Sequence, residues 1–167
     1  SLTLDNNGGI FGEVNEVGRV GTPDKHAAEA QPFFDAIQAS GLTSLSLSGT
    51  GMGPVSCGKL AGAVSAALTS LTIAQNPIGE RGATALVEAL KSAPSIEIIN
   101  IGQPLPLKSQ YESDCLDLSD KQMDPGQAII LAWWLSLPVS AALTELTILG
   151  NPLTGGKPQY IGNDKYR

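Results

Sequence analysis

Residues 68–79, LTSLTIAQNPIG, decide how this 167-residue chain folds. Leu71 and Ile73 alternate with Ser70 and Thr72, the period-two pattern of a strand with one buried face. Asn76-Pro77 then marks a turn. The next stretch, GERGATALVEALKSAPS (79–95), changes period. Ala83, Leu86 and Leu90 recur at i, i+3 and i+7, the inward stripe of an amphipathic helix. Strand, turn and helix therefore follow one another within about one repeat length.

The same frame returns along the chain. LTSLSLSGTGMG starts at Leu42, IEIINIGQPLPL at Ile96 and LTELTILGNPLT at Leu143. A weaker copy, CLDLSDKQMDPG, has its frame starting at Ser113, and SLTLDNNGGIFG at the N-terminus joins a repeat already under way. Each reads L-x-x-L-x-L-x-x-N-x-L, with Asn, Thr, Pro or Lys at the turn. Successive frames step by 26, 28, 17 and 30 residues. A unit of this kind cannot bury its apolar face alone, so neighbours must stack.

On these residues the chain resembles the leucine-rich repeat family, in its strand-plus-helix form. Four of about six frames match well, and most of the chain is covered. The resemblance implies an α/β fold over a single domain, residues 1–167: a curved solenoid with a parallel sheet inside and helices outside. Leu71, Ile73, Leu146 and Ile148 should then be buried, with Thr72 and Thr147 accessible on the concave side. Two departures are expected. Too many residues separate Leu4 from Leu42, which marks an insertion over about 12–30, followed by a helical pattern from about Ala27 to Ala39 with Phe33 and Ile37 at i, i+4. The 17-residue step contains GQPLPLKSQYE, whose two prolines cannot hold a normal helix. The repeat at about 96–112 should therefore lack its helix. Residues 154–167 read as a loop-like tail. Neither end carries a polar cap, so a longer protein or covering neighbours are expected.

AIILAWWLSLPV (128–139) is almost without polar residues yet too short for a membrane span, which needs about 20 apolar residues. Superposing Met123 on Ile78 places Ala128, Leu131 and Leu135 on Ala83, Leu86 and Leu90, facing the sheet. Ile130 and Trp134 fall on Ala85 and Ala89, small residues beside a neighbouring helix. Large groups here would fill the gap a missing helix leaves, because cores tolerate few voids. Trp133 falls on the solvent position of Glu88. With Ile129 and Leu137 it forms an outward apolar stripe at i, i+4 and i+8, a pattern by which helices meet partners.

Composition and motifs narrow the chemistry. Net charge is −6 with ten scattered Lys and Arg, no basic stripe of a nucleic-acid binder. GPVSCGKL (53–60) imitates a phosphate-binding loop, but Leu60 stands where magnesium needs Ser or Thr. The repeat register also puts Gly58 and Lys59 on a helix, with Cys57 as a small core residue. GTGMGP lacks the third glycine of a dinucleotide fingerprint. His26 is the only histidine, with no nucleophile elbow, and reads as solvated. Cys57 and Cys115 have no metal-ligand spacing. No catalytic residue, metal, nucleotide or other cofactor is expected. Two cysteines without a disulfide framework point to a reducing, cytoplasmic setting.

The expectation is a non-enzymatic protein–protein interaction module, a scaffold or accessory subunit. The alternative is a regulator of a small GTPase, by fold analogy with Ran activators; Arg19 and Arg81 are the nearest arginines to a suitable loop. Candidate binding residues fall in two sets. Ile129, Trp133 and Leu137 form the convex stripe. On the concave face, small and weakly acidic, stand Asp5, Thr72, Asn100, Asp117, Glu145 and Thr147, where Asp5, Asp117 and Glu145 could receive a basic or extended ligand.

Overall fold

The computed structural model describes residues 1–15, 20–153, 160–161 and 165–166. It is a mixed α/β fold with four helices and a mostly parallel central sheet among these residues. In chain order the elements are β1 (Leu2–Thr3), β2 (Glu13–Val14), β3 (Val20–Thr22), α1 (Gln31–Ala39), β4 (Ser44–Ser46), α2 (Pro54–Ala63), β5 (Ser70–Thr72), α3 (Gly79–Ser92), β6 (Ile98–Asn100), β7 (Pro104–Pro106), β8 (Cys115–Asp117), α4 (Pro125–Leu135), a 3-10 turn (Pro138–Ser140), β9 (Glu145–Thr147), β10 (Tyr160–Ile161) and β11 (Lys165–Tyr166). No described helix is long and apolar enough to cross a membrane.

The main sheet runs β1-β4-β5-β6-β7. Its first four strands are parallel and in the register the frames require: Leu2 beside Leu45, Leu45 beside Leu71, Leu71 beside Ile99. Leu45, Leu47, Leu71, Ile73, Ile99 and Ile101 are completely buried against the helices. Each such aliphatic side chain removes about 1.5–3 kcal/mol worth of apolar surface from water. Helices α2, α3 and α4 pack side by side over this layer.

The turns after the strands share one backbone device. Asn6, Gly49, Gln75, Asp120 and Gly150, all two residues past the second buried apolar position, have φ between 56° and 70°. The left-handed turn lets the next residue send its side chain back into the stack. Asn76 there is 1% exposed. Its Oδ1 accepts from the N–H groups of Thr50 (3.0 Å) and Met52 (3.1 Å), and its Nδ2 donates to Leu47 O at 2.6 Å. Asn151 repeats the pattern, donating to Leu118 O at 2.6 Å and accepting from Met123 N at 3.0 Å. One asparagine thus stitches two successive turns.

The continuous parallel sheet expected from the frames is interrupted. β7 folds back antiparallel to β6, pairing Ile99 with Leu105, while β8 and β9 form a separate parallel pair. The cause lies in the sequence: Pro104 and Pro106 have no N–H, so the far edge of β7 cannot donate to a further strand. Residues 103–112 hold no helix, as expected, and Trp134 lies over them, completely buried. Its Nε1 donates to Pro106 O at 2.7 Å, and its ring meets Tyr111 edge-on at 5.3 Å. The indole fills the space of the missing helix and satisfies a carbonyl on the strand edge.

Other expectations need correction. Leu146 is 37% exposed and Ile148 only half-buried, because β9 is an edge strand and no described helix follows to cover it. Leu135, expected to face the sheet, is 38% exposed. Proline at 138 forces Leu137 into an extended conformation, so α4 stops at Leu135, two residues earlier in the frame than α3. In α1 the buried pair is Phe34 and Ile37, with Phe33 half-buried; the helix starts at Gln31, later than the pattern suggested.

The insertion carries the antiparallel pair β2–β3 and then a loop that reaches α2. Gly53, at the start of that helix, has no side chain with which to cap it. Asp24 supplies the cap instead, accepting from Gly53 N (3.0 Å), Val55 N (2.7 Å) and Ser56 N (2.9 Å). Three charge-assisted bonds at a helix N-terminus are among the stronger kinds. Asp124 plays a double part: its Oδ1 closes a capping box with Gln127, and its Oδ2 accepts from Gly79 N, at the start of α3, at 2.6 Å.

Candidate interaction surface

The strands present their outward side chains in two rows. One runs Ser44, Ser70, Ile98 on the large sheet and Cys115, Glu145 on the small one. The other runs Thr3, Ser46, Thr72, Asn100 and then Asp117, Thr147. Thr72, Thr147 and Asn100 are half-buried; Asp117 and Glu145 are exposed. The sheet break divides the concave set proposed from sequence. Asp5, Thr72 and Asn100 line one concavity of about 420 Å³ together with Lys121. Asp117, Glu145 and Thr147 lie outside it, on the two-stranded sheet.

The acidic triplet expected to grip a basic ligand is therefore not assembled, and Asp5 is already engaged. Its carboxylate accepts from Ser46 Oγ at 2.7 Å and from Ser48 N at 2.8 Å, tying β1 to the turn after β4. Asn100 Oδ1 accepts from Gly102 N at 2.9 Å. Asp117 accepts from Ser119 N at 2.8 Å. The bonds from Ser119, more than the charge of Lys121, hold the Asp117 carboxyl below its usual range.

On the helix side, Ile129, Trp133 and Leu137 are each half-buried and packed against the core. Leu137 lies beyond the end of α4, so the three do not form one helical line. The stripe is not a freely exposed patch. Among the described residues the most exposed large apolar side chains are elsewhere: Leu149 (72%) and Val55 (56%).

Among the described residues the reactive groups do not converge. Cys57 is buried in α2, where desolvation, helped by the nearby Asp124 and Asp24 charges, pushes its thiol up to about 12. A thiol so protonated is no nucleophile at neutral pH. Cys115 is exposed beside Ser113 Oγ at 3.4 Å. His26 is exposed ahead of α1, and Arg81 is exposed in the first turn of α3. Arg19 falls outside the described residues. No group of three or more His, Cys, Asp or Glu among the described residues could hold a metal. In GPVSCGKL, the residues from Pro54 onward are helical, Leu60 is fully buried and Lys59 Nζ donates to Ala27 O at 2.8 Å. The backbone amides that a phosphate would use are taken by Asp24.

Sequence reasoning missed the turn rim. Asn6, Gln75 and Gln122 are exposed, have φ of 61°, 57° and 56°, and line a second concavity of about 700 Å³. The frames did locate the turns, but glutamine carries no signature for left-handed backbone.

No protein-family model matches the chain, and no curated protein matches it.

Proposed function

We propose that the chain is a non-enzymatic protein-interaction module built as a leucine-rich-repeat-like solenoid. The repeat reading is supported by the shared register of the frames, the left-handed residue recurring at five of six turns, and the paired roles of Asn76 and Asn151. The interaction reading rests on one observation: the outward face of the parallel strands is a broad, shallow surface of small side chains, flanked by open concavities, and no group on it is set up for bond-making. Ser44, Ser46, Ser70 and Thr72 leave a floor on which a partner supplies the bulk. We put the contact on this face and not on the Ile129–Trp133–Leu137 side, because those three are partly spent in holding α4 to its neighbours.

Blocking the floor tests this. Ser46→Arg/Thr72→Arg places two long cations on half-buried outward positions without touching the core, at the loss of one partly buried bond, Ser46 to Asp5. Proteins captured by the wild-type chain should bind it saturably when purified, and lose binding to the double variant while its Tm stays within a few degrees of wild type. Retained binding in the double variant moves the contact elsewhere. Stimulated GTP hydrolysis on adding the chain to a purified GTPase would favour the regulatory alternative instead.

A further inference from the structure

Two open concavities, of about 700 and 420 Å³, adjoin at Asn6 and Gln75. Together they make one groove along the turn rim of the strand face. Its rim carries three primary amides, those of Asn6, Gln75 and Gln122, all exposed and none hydrogen-bonded within the chain among the described residues. The contrast with neighbouring turn residues is direct. Asn7, Asn76 and Asn151 all spend their amides on backbone carbonyls.

The backbone adds a second, independent observation. At the same turn position Gly49 and Gly150 adopt positive φ without a side-chain penalty, whereas Gln75 does so with one. Asn tolerates this region through local bonding, but Gln has no such habit. Gln122 is held the same way two residues past Asp120. Folding alone is better served by glycine at these points. Residues kept in costly backbone states cluster at binding sites.

We propose that this groove docks an extended segment of a partner protein, held through its main chain by the side-chain amides of Asn6, Gln75 and Gln122. The inference rests on the interaction-module reading and names where and how the partner is held. A carboxamide offers both N–H donors and a carbonyl acceptor, the complement of a peptide unit. The floor at Ser46 and Thr72 is small, which leaves room for the ligand's own side chains. Among the described residues no aromatic side chain lines either concavity, so a sugar ring or a nucleobase finds no stacking face among them. Two carboxylates, Asp5 and Asp124, against the one cation of Lys121, together with the net charge of −6, oppose a phosphate backbone.

The test uses the full chain and a displayed library of random 12-residue peptides as probe. Selected peptides should bind wild type and lose about tenfold in affinity for each of Gln75→Gly and Gln122→Gly, the size of one lost pair of amide bonds. The same variants should raise Tm, because glycine relieves the left-handed backbone; a merely structural role would lower it. N-methylation of alternate peptide nitrogens should abolish binding. The proposal fails if no peptide is enriched, or if the double glutamine variant, Gln75→Gly/Gln122→Gly, binds the peptides as tightly as wild type. It fails also if an oligosaccharide array, and not the peptide library, gives signal that the double variant loses. A protein partner that leaves Ser46→Arg/Thr72→Arg but stays on the double glutamine variant keeps the module reading and overturns only this groove assignment.

Discussion

The frames beginning at Leu68 and at Ile96 form adjacent parallel strands with equally buried cores, yet they end differently. Leu71 and Ile73 match Ile99 and Ile101 residue for residue, all fully buried. The divergence is at the ninth position. Asn76 bonds back to the preceding turn, and the chain proceeds into α3. Pro104 has neither N–H nor polar side chain, and the chain doubles back as β7. The apolar pattern thus sets the strand, while the turn residue decides whether the stack continues. Where it does not continue, a tryptophan from the next helix closes the gap.

Trp134→Ala is the most severe way to break that comparison. It removes the largest fully buried side chain, its edge contact with Tyr111 and the donor to Pro106 O. We expect a loss of about 3–5 kcal/mol in denaturant unfolding, as for other buried aromatic truncations. A loss below about 1 kcal/mol would mean that residues 103–112 hold their place without the indole.

Asn76→Ala probes the regular turn and should cost slightly less, about 2–4 kcal/mol, because the Thr50 and Met52 N–H groups are left buried and unpaired and Leu47 O keeps only the Thr50 hydroxyl. Asn151→Ala removes the corresponding bonds at a turn where the asparagine is itself only half-buried, so water reaches the vacated site more readily than at Asn76. About 1 kcal/mol is expected there. Equal losses at the two sites would show that burial of the turn does not set the value of its asparagine.

Much of this was legible in the sequence. Period-two leucines located the strands, the prolines at 104 and 106 cancelled a helix, and the bulk of Trp134 identified what replaced it. Two kinds of feature were not. Caps supplied across space, such as Asp24 on α2 from 29 to 32 residues away, leave no local signal. The division of Asp5, Thr72 and Asn100 from Asp117, Glu145 and Thr147 depends on strand pairing at β7, and the proline pattern predicted a lost helix without predicting a reversed strand. The amide rim was invisible for a further reason: which residue at a turn takes positive φ is set by the packed stack, not by the preference of glutamine.

The smallest expected effect concerns Asp124, which serves two helix starts where Asp24 serves one. Burial, the largest influence, raises its pKa above the ordinary carboxylate value, although the N–H groups of Gly79 and Gln127 pull the other way. A raised folded-state pKa means that the folded protein binds this proton more tightly than the unfolded chain does. The resulting stabilisation is fully present below the unfolded pKa of about 3.9 and is lost as pH rises through the higher folded value. Asp124→Asn cannot titrate and lacks it. The Tm difference between wild type and Asp124→Asn should therefore shift in favour of wild type as pH falls from neutral through the carboxylate range. Asp24→Asn is the matching control at a cap serving a single helix. A difference that moves the opposite way would mean that the Gly79 and Gln127 bonds, which favour the charged form, outweigh desolvation at the shared cap.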